Sequence, residues 1–321
     1  MEIKPTTIRT LSMLGQRGAF GMALLECASR EERIVALSAD LCNTSGLDRF
    51  RAAFPDRFFN IGIAEQNMVG VAAGLAAEGR VPVATTFTNF AVLRACEQVR
   101  HFMGYMRENI KLVGFGAGFS FGMFGTTHYG VEDVAVIRAI PNVVIISPAD
   151  GLSVVKAVEA MVSYDGPVYL RLTGGMNNPI VYKQDIDFQI GKAISVYDGD
   201  DVAILASGSM VSTALRVREK LLADGISAAV MDFHTIKPLD CESIEKVCSK
   251  RMIVTMEEHS KIGGLGAAVA ECLSRSPHHP QQLIFGSEDE YLHAGSPGYM
   301  LKAHGLEAES ISVQIKAVLH G

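Results

Sequence analysis

Short runs of consecutive apolar, mostly β-branched residues alternate along this chain with longer stretches whose apolar positions recur at helical spacing. The runs at 34–38, 81–85, 110–115, 143–147 and 167–172 predict strands, and the stretches 64–77, 90–103, 131–140 and 151–163 predict helices. Strands this uniformly apolar are covered on both faces, and regular strand–helix alternation implies a parallel sheet with helices on either side. The rhythm breaks over 174–187, where Gly174-Gly175, Asn177-Asn178-Pro179 and a mixed polar run follow one another. A second series begins beyond it, with strands at 202–206, 227–232, 252–256 and 282–285 and helices through 213–223, after Pro238 and through 266–273. The expected fold class is α/β, as two successive domains, each a mainly parallel sheet flanked by helices. The first is expected over 1–178 and the second over 191–321, with 179–190 as linker. Residues 1–21 mix polar and apolar positions without a sustained apolar core, which predicts neither a secretory signal nor a membrane span. No later window reaches about 18 uninterrupted apolar residues.

Composition narrows the class. With 48% hydrophobic and 20% charged residues among 321, the chain has the material for packed cores and is no disordered segment. Its 29 Lys+Arg against 35 Asp+Glu leave a net charge of −6, which weighs against a nucleic-acid partner, since that partner demands clustered cations. The six cysteines (Cys27, Cys42, Cys96, Cys241, Cys248, Cys272) form no CxxC pair and predict reduced thiols in a cytoplasmic protein. His278-His279 sits beside a proline at either end, and no HExxH occurs, so no protein-held metal is expected.

In sheets of this kind ligands bind beyond the carboxyl ends of the strands, so the chemistry belongs to the loops 39–46, 86–90 and 114–128. None of the 31 glycines builds a GxGxxG or a GxxxxGK[ST] loop, which disfavours a dinucleotide dehydrogenase or a P-loop NTPase. Gly118-Phe119-Ser120-Phe121-Gly122 matches a hydrolase nucleophile elbow, but it runs on into Met-Phe-Gly-Thr-Thr-His instead of a helix and reads as a loop. Glu65 opens a helix of small and apolar residues. It reads either as a first-turn carboxylate favoured by the helix dipole, or as a buried acid whose raised pKa lets it share a proton with a ring nitrogen. Phe87 and Phe90, at a strand end, read either as core or as a stacking surface for a flat heterocycle. His128, in a Gly/Thr loop, suits polarising or protonating a substrate oxygen.

In order and spacing, Ser38-Ala39-Asp40-Leu41, the run from Gly62 to Met68, the run from Thr85 to Phe90, Thr126-Thr127-His128, Ser147-Pro148-Ala149-Asp150 and the run from Glu257 to Gly266 resemble the transketolase family. The likeness is to its C-terminal half, a pyrimidine-binding domain followed by a C-terminal domain, and it covers nearly the whole chain. It implies thiamine diphosphate as cofactor, with the aminopyrimidine end held here. Glu65 matches the family glutamate that hydrogen-bonds the aminopyrimidine ring. Phe87 and Phe90 match the aromatic pair packed on it, Asp40 an aspartate near the cofactor, and His128 a substrate-facing histidine. Arg17 and Thr44 fall where the family contacts substrate phosphate. Arg171 resembles an arginine of deoxyxylulose-phosphate synthases, with a structural ion pair as the equal alternative. Phe124 stands where the common enzyme has an acid that selects hydroxyl stereochemistry. An upstream histidine of the same loop is missing from 114–118, and the common phosphate arginine falls near Thr173. The resemblance therefore implies an intact thiamine half and an altered sugar half, hence an unusual ketose phosphate as substrate.

The family's Gly-Asp-Gly metal motif is absent, and Asp198-Gly199-Asp200-Asp201 reads as a turn. The diphosphate and its Mg²⁺ are then expected on a complementary N-terminal-half subunit, with the site between chains in an α2β2 assembly that is inactive without the partner. Sugar phosphates are the expected substrates, with neither nucleic acid nor membrane as partner. The rivals are the beta chain of a 2-oxo acid dehydrogenase decarboxylase component, a deoxyxylulose-phosphate-synthase-like half, and a non-catalytic scaffold that keeps the fold.

Overall fold

The computed structural model describes residues 3–320. Five parallel strands, β1 (Ile34–Ser38), β3 (Val81–Phe87), β4 (Lys111–Phe115), β5 (Val144–Ile146) and β6 (Val168–Leu172), make the centre of the first sheet, with β2 (Phe58–Asn60) at one edge. The second sheet is built from β7 (Ile194–Tyr197), β8 (Val202–Ala206), β9 (Ala228–Asp232), β11 (Met252–Ser260) and β12 (Gln281–Ser287). Its order is β12-β11-β8-β9-β7, parallel except where β7 runs against β9. The apolar runs seen in the sequence are the buried interiors of these sheets: every residue of β1, β4, β5, β6 and β8 is buried.

One strand crosses between the two halves. β10 (Thr235–Lys237) lies in the second half of the chain, yet it pairs antiparallel with β5 and completes a first sheet of order β10-β5-β6-β4-β3-β1-β2. Helices Pro5–Arg30 and Gly151–Ser163 cover one face of that sheet, through Leu24, Phe20 and Met161. Helices Glu65–Ala77 and Asp133–Ala139 cover the other, through Met68, Val69 and Ile137. Phe119, Tyr129, Ala149 and Leu152 of the first half pack in one apolar cluster with Val254, Met256 and Ile311 of the second, so the two halves share a core.

Several elements depart from the pattern read in the sequence. The first thirty residues, expected only not to span a membrane, include the helix Pro5–Arg30, interrupted where Gly15 takes φ 70°. A Cβ at Gly15 would stand 2.1 Å from the carbonyl oxygen of Gly175, a backbone approach that only glycine permits. The expected helix over 90–103 is π-helical over Phe90–Arg94 and Val99–Tyr105, on either side of one α-helical turn at Cys96–Gln98. Strands β2, β7 and β10 and the helices Pro297–Ala303 and Ala308–His320 are additional to the elements expected from the pattern. The strand expected at 252–256 runs on to Ser260, which places Glu257, Glu258 and His259 on the strand itself.

Candidate active site

The loops following β1, β3 and β4 converge at the carboxyl edge of the first sheet. Just past β1, Asp40 adopts φ 60° and is clamped to the end of β2. Its carboxylate accepts from Asn60 Nδ2 at 2.9 Å, and its backbone N–H donates to Asn60 Oδ1 at 3.0 Å. The same Oδ1 accepts from the Gly62 N–H at 3.2 Å, which fixes the short loop that delivers Glu65 to the front of helix Glu65–Ala77. There the Glu65 carboxylate is only 2% exposed.

Glu65 is not the lone acid in apolar company that its sequence neighbours suggest. Arg94, the last residue of the first π-helical turn, places Nη1 3.0 Å from both carboxylate oxygens, while its guanidinium lies over the Phe90 ring at 4.0 Å. A buried carboxylate is tolerated when a cation meets it, and the half-exposed Arg94 does so from the mouth of the site. The sequence reading missed Arg94. Its signal is a cation four positions after Phe90, on the stretch that leads back over the helix carrying Glu65.

Phe87 ends β3 and Phe90 opens the π turn, so the two rings meet edge-on, 5.6 Å apart at 82°, and both stay part-exposed. His128 approaches from the loop after β4. Its ring is 5.5 Å from Phe87, 5.7 Å from Phe90 and 5.5 Å from Phe124, and its Nδ1 lies 2.8 Å from the Thr127 hydroxyl. That contact occupies one ring nitrogen and leaves Nε2 for a substrate oxygen. Phe124 stacks on Phe121, and the Arg17 guanidinium lies 5.2 Å from the Phe121 ring while donating from Nη1 to the Thr44 carbonyl at 3.0 Å. The structure therefore brings Glu65, Phe87, Phe90, His128, Phe124, Arg17 and Thr44 into one line of contacts. Asp40 joins them through its hold on the Glu65 loop, and Thr44 contributes its backbone rather than its hydroxyl.

Arg171 does not join them, and the expectation of a phosphate contact there is corrected. Its guanidinium is 1% exposed; Nε donates to Asp133 Oδ2 at 2.7 Å and Nη2 to the Glu258 carbonyl at 2.7 Å. The Tyr169 hydroxyl donates to the same Asp133 oxygen at 2.7 Å. The ion-pair alternative is the one observed, and it braces the loop bearing His128 from within. Glu258 braces the same loop from the second sheet, accepting from the Phe119 N–H at 3.0 Å and from the Ser209 hydroxyl. Burial raises its pKa against these hydrogen bonds. Ser120 turns its hydroxyl to the carbonyls of Thr173 and Ala117, so it is no nucleophile elbow.

The donor set suits a flat, nitrogen-bearing ring better than a metal. It offers one buried carboxylate beside phenyl faces, with the buried Thr86 Oγ1 on β3 and Asn89 Oδ1 just past its end lacking any hydrogen-bond partner. Among the described residues no group of three or more His, Cys, Asp or Glu is placed to hold a metal ion.

Residues 12–177 match the family "Transketolase, pyrimidine binding domain", and residues 191–311 match "Transketolase, C-terminal domain". The chain is 41% identical to a "putative transketolase C-terminal section" of Methanocaldococcus jannaschii, across 94% of this chain and 95% of that protein. It is 38% identical to an apulose-4-phosphate transketolase subunit of Phocaeicola vulgatus, across 94% and 96%. A solved structure described as a split-gene transketolase, an inactive β4 tetramer, superposes with a TM-score of 0.88 at 38% identity, covering 95% of this chain and 98% of that one.

Proposed function

The chain belongs to the transketolase family, and on that premise we propose that it is the smaller half of a split, thiamine-diphosphate-dependent transketolase that moves a ketol unit between sugar phosphates. The observation that carries the reading is the buried Glu65 carboxylate, set beside Phe87, Phe90 and His128 on the carboxyl edge of the sheet. Bound thiamine diphosphate supplies a nucleophilic carbon for cleaving the ketose. In this chain Glu65 shares a proton with the aminopyrimidine, and Phe87 and Phe90 keep water from that ring. His128, held at Nδ1 by Thr127, exchanges a proton with the substrate oxygen through Nε2. Asp40 sets the loop that aims Glu65. Arg17, beside the Thr44 carbonyl, draws the phosphate end.

The reading also assigns the diphosphate and its Mg²⁺ to a complementary subunit, because the sequence has no Gly-Asp-Gly and no group of three or more His, Cys, Asp or Glu is placed to hold a metal among the described residues. Support comes from the apolar rim. Ile63 is 76% exposed and Met123 66% exposed beside the residues above, as at a surface built to be covered. We place two copies of each subunit in an α2β2 complex. The six free thiols suit the cytoplasm, and among the described residues no helix is long and apolar enough to cross a membrane.

The test is ketol transfer from D-xylulose 5-phosphate to an aldose phosphate, with thiamine diphosphate and Mg²⁺. The chain purified with its partner is expected to turn over, the chain alone is not, and Glu65→Gln in the complex is expected to lose roughly 10²-fold or more in kcat. Turnover by the isolated chain, or an unimpaired Glu65→Gln complex, would refute the reading.

A further inference from the structure

We propose that Cys241 and Cys272 form a redox-modification site, at which hydrogen peroxide joins them in a disulfide that staples two helices of the second half and a dithiol reopens it. The site lies outside the transketolase reading and stands whether or not that reading does.

The observation is a pair of thiols in contact on separate elements. Cys241 opens the helix Cys241–Val247, which follows β10, and Cys272 sits in the last turn of the helix Leu265–Leu273. The two helices pack together, with Ile244, Val247, Val269 and Leu273 in one apolar cluster against Leu205 and Ile253 of the second sheet. A hydrogen bond joins the Cys241 and Cys272 thiols, so the two sulfurs are already neighbours, as a disulfide requires. Both cysteines are half-buried, and both line each of two surface pockets, of about 260 and 280 Å³, through which a small oxidant can reach them. The other cysteines are placed differently. Cys27 and Cys42 are buried, and the Cys248 thiol donates to the Ile244 carbonyl at 3.4 Å.

The two thiols have different roles. Burial raises the pKa of Cys272, and the hydrogen bond with Cys241 and the charge of a Cys241 thiolate raise it further, while Arg275, which lines both pockets, offsets part of this. Cys241 therefore attacks and Cys272 resolves. The Cys241 thiolate attacks one peroxide oxygen and the O–O bond breaks. A sulfenic acid forms, and the departing hydroxide takes up the proton the thiol had shed. That step removes the negative charge that held the Cys272 proton in place. The Cys272 sulfur then displaces the sulfenic oxygen, which leaves as water with the Cys272 proton, and the S–S bond forms. In sum two thiols lose two protons and two electrons, and one hydrogen peroxide becomes two waters. A dithiol reverses the bond by exchange and is itself oxidised to a disulfide, so in a reducing compartment the modification is transient.

The experiment treats the full chain with a small excess of hydrogen peroxide, alkylates it under denaturing conditions and maps it by proteolysis and mass spectrometry. The expected product has lost two of its six alkylatable thiols and the mass of two hydrogens. It yields one cross-linked peptide pair carrying Cys241 and Cys272, and dithiothreitol restores both thiols. The oxidised chain should melt several degrees above the reduced one, because the bond closes the loop 241–272. Cys272→Ser should abolish the cross-link and leave a sulfenic acid at Cys241 that dimedone captures, and Cys248→Ser should leave the cross-link intact. Six alkylatable thiols after treatment, a wild-type cross-link through Cys248, one that survives Cys272→Ser, or an oxidised chain that melts no later than the reduced one overturns the inference. Mapping of the wild-type chain decides it alone where a variant fails to fold, and none of these outcomes bears on the transketolase reading.

Discussion

Arg94 brings a cation to the buried Glu65 carboxylate at the carboxyl edge of the first sheet. Without that cation Glu65 would be a buried charge with no partner. Arg94→Ala is therefore expected to lower stability by about 1–3 kcal/mol, less than the 3–5 typical of a fully buried pair because Arg94 is 47% exposed. The double variant Arg94→Ala/Glu65→Gln should recover most of that loss, since it removes the stranded charge too. Urea midpoints at constant slope would show it, and equal losses in the single and double variants would place the cost elsewhere. Glu65, Phe87, Phe90 and His128, whose side chains converge, stood out in the sequence because each belongs to a compact local motif beyond or at the end of a strand. Arg94 left only a faint signal, a cation four positions after Phe90, because it meets Glu65 across 29 positions and through a π-helical turn that no periodicity reveals. Arg171 misled for a related reason. An arginine on an apolar strand looks the same whether it awaits a phosphate or faces an aspartate 38 positions away.

Among the elements, the helix Pro5–Arg30 shows how a backbone contact can be invisible in a pattern of side chains. Gly15, Gly18 and Gly21 resemble loop residues, yet two of them let other backbone in. Gly15 admits Gly175, and a Cβ at Gly21 would stand 2.0 Å from the Gly46 carbonyl oxygen. Gly15→Ala is expected to cost about 2–3 kcal/mol, from the positive φ and the collision together. Because Arg17 lies just past the kink, the same variant should raise KM for the sugar phosphate far more than the dissociation constant for thiamine diphosphate. Thermal unfolding and a binding titration check the two halves, and equal rises in both constants would count against a local effect. The central parallel strands were legible because burial on both faces leaves an unbroken apolar run. The edge strands β2 and β10, three residues each, and the half-exposed β7 carry no such run, so their pairing rests on tertiary context.

At the scale of the whole molecule, the segment between the sheets is tied to both halves. The N–H groups of Val181 and Tyr182 donate to Asp150 Oδ2 at 2.9 and 3.0 Å, and the Tyr182 hydroxyl donates to Asp232 Oδ2 at the end of β9 at 2.7 Å. Burial pushes the Asp232 carboxyl up to about 8 from its ordinary 3.8. The native state thus keeps a proton that the unfolded chain has released. The stabilisation this provides is complete below about pH 4 and is lost as pH rises towards 8. His234, pushed down to about 4 by burial, acts with the opposite sign between 4 and 6.5 and is untouched by changes at Asp232. Asp232→Asn should therefore gain on wild type as pH rises from 5 to 8, by at most about 1.4 kcal/mol per pH unit. Denaturation at several pH values measures the difference, and a flat difference would refute the assignment.

The placement of β10 also bears on how the chain is made and how it can be divided. The edge of β5 stays bare until residue 237 has left the ribosome, although every other strand of that sheet is complete by residue 172. A nascent or truncated chain ending between those points offers an open strand to whatever strand it meets, its own copies included. The two regions that match separate domain models are thus joined through one sheet, and a cut at the visible boundary yields a sticky fragment in place of an independent first half.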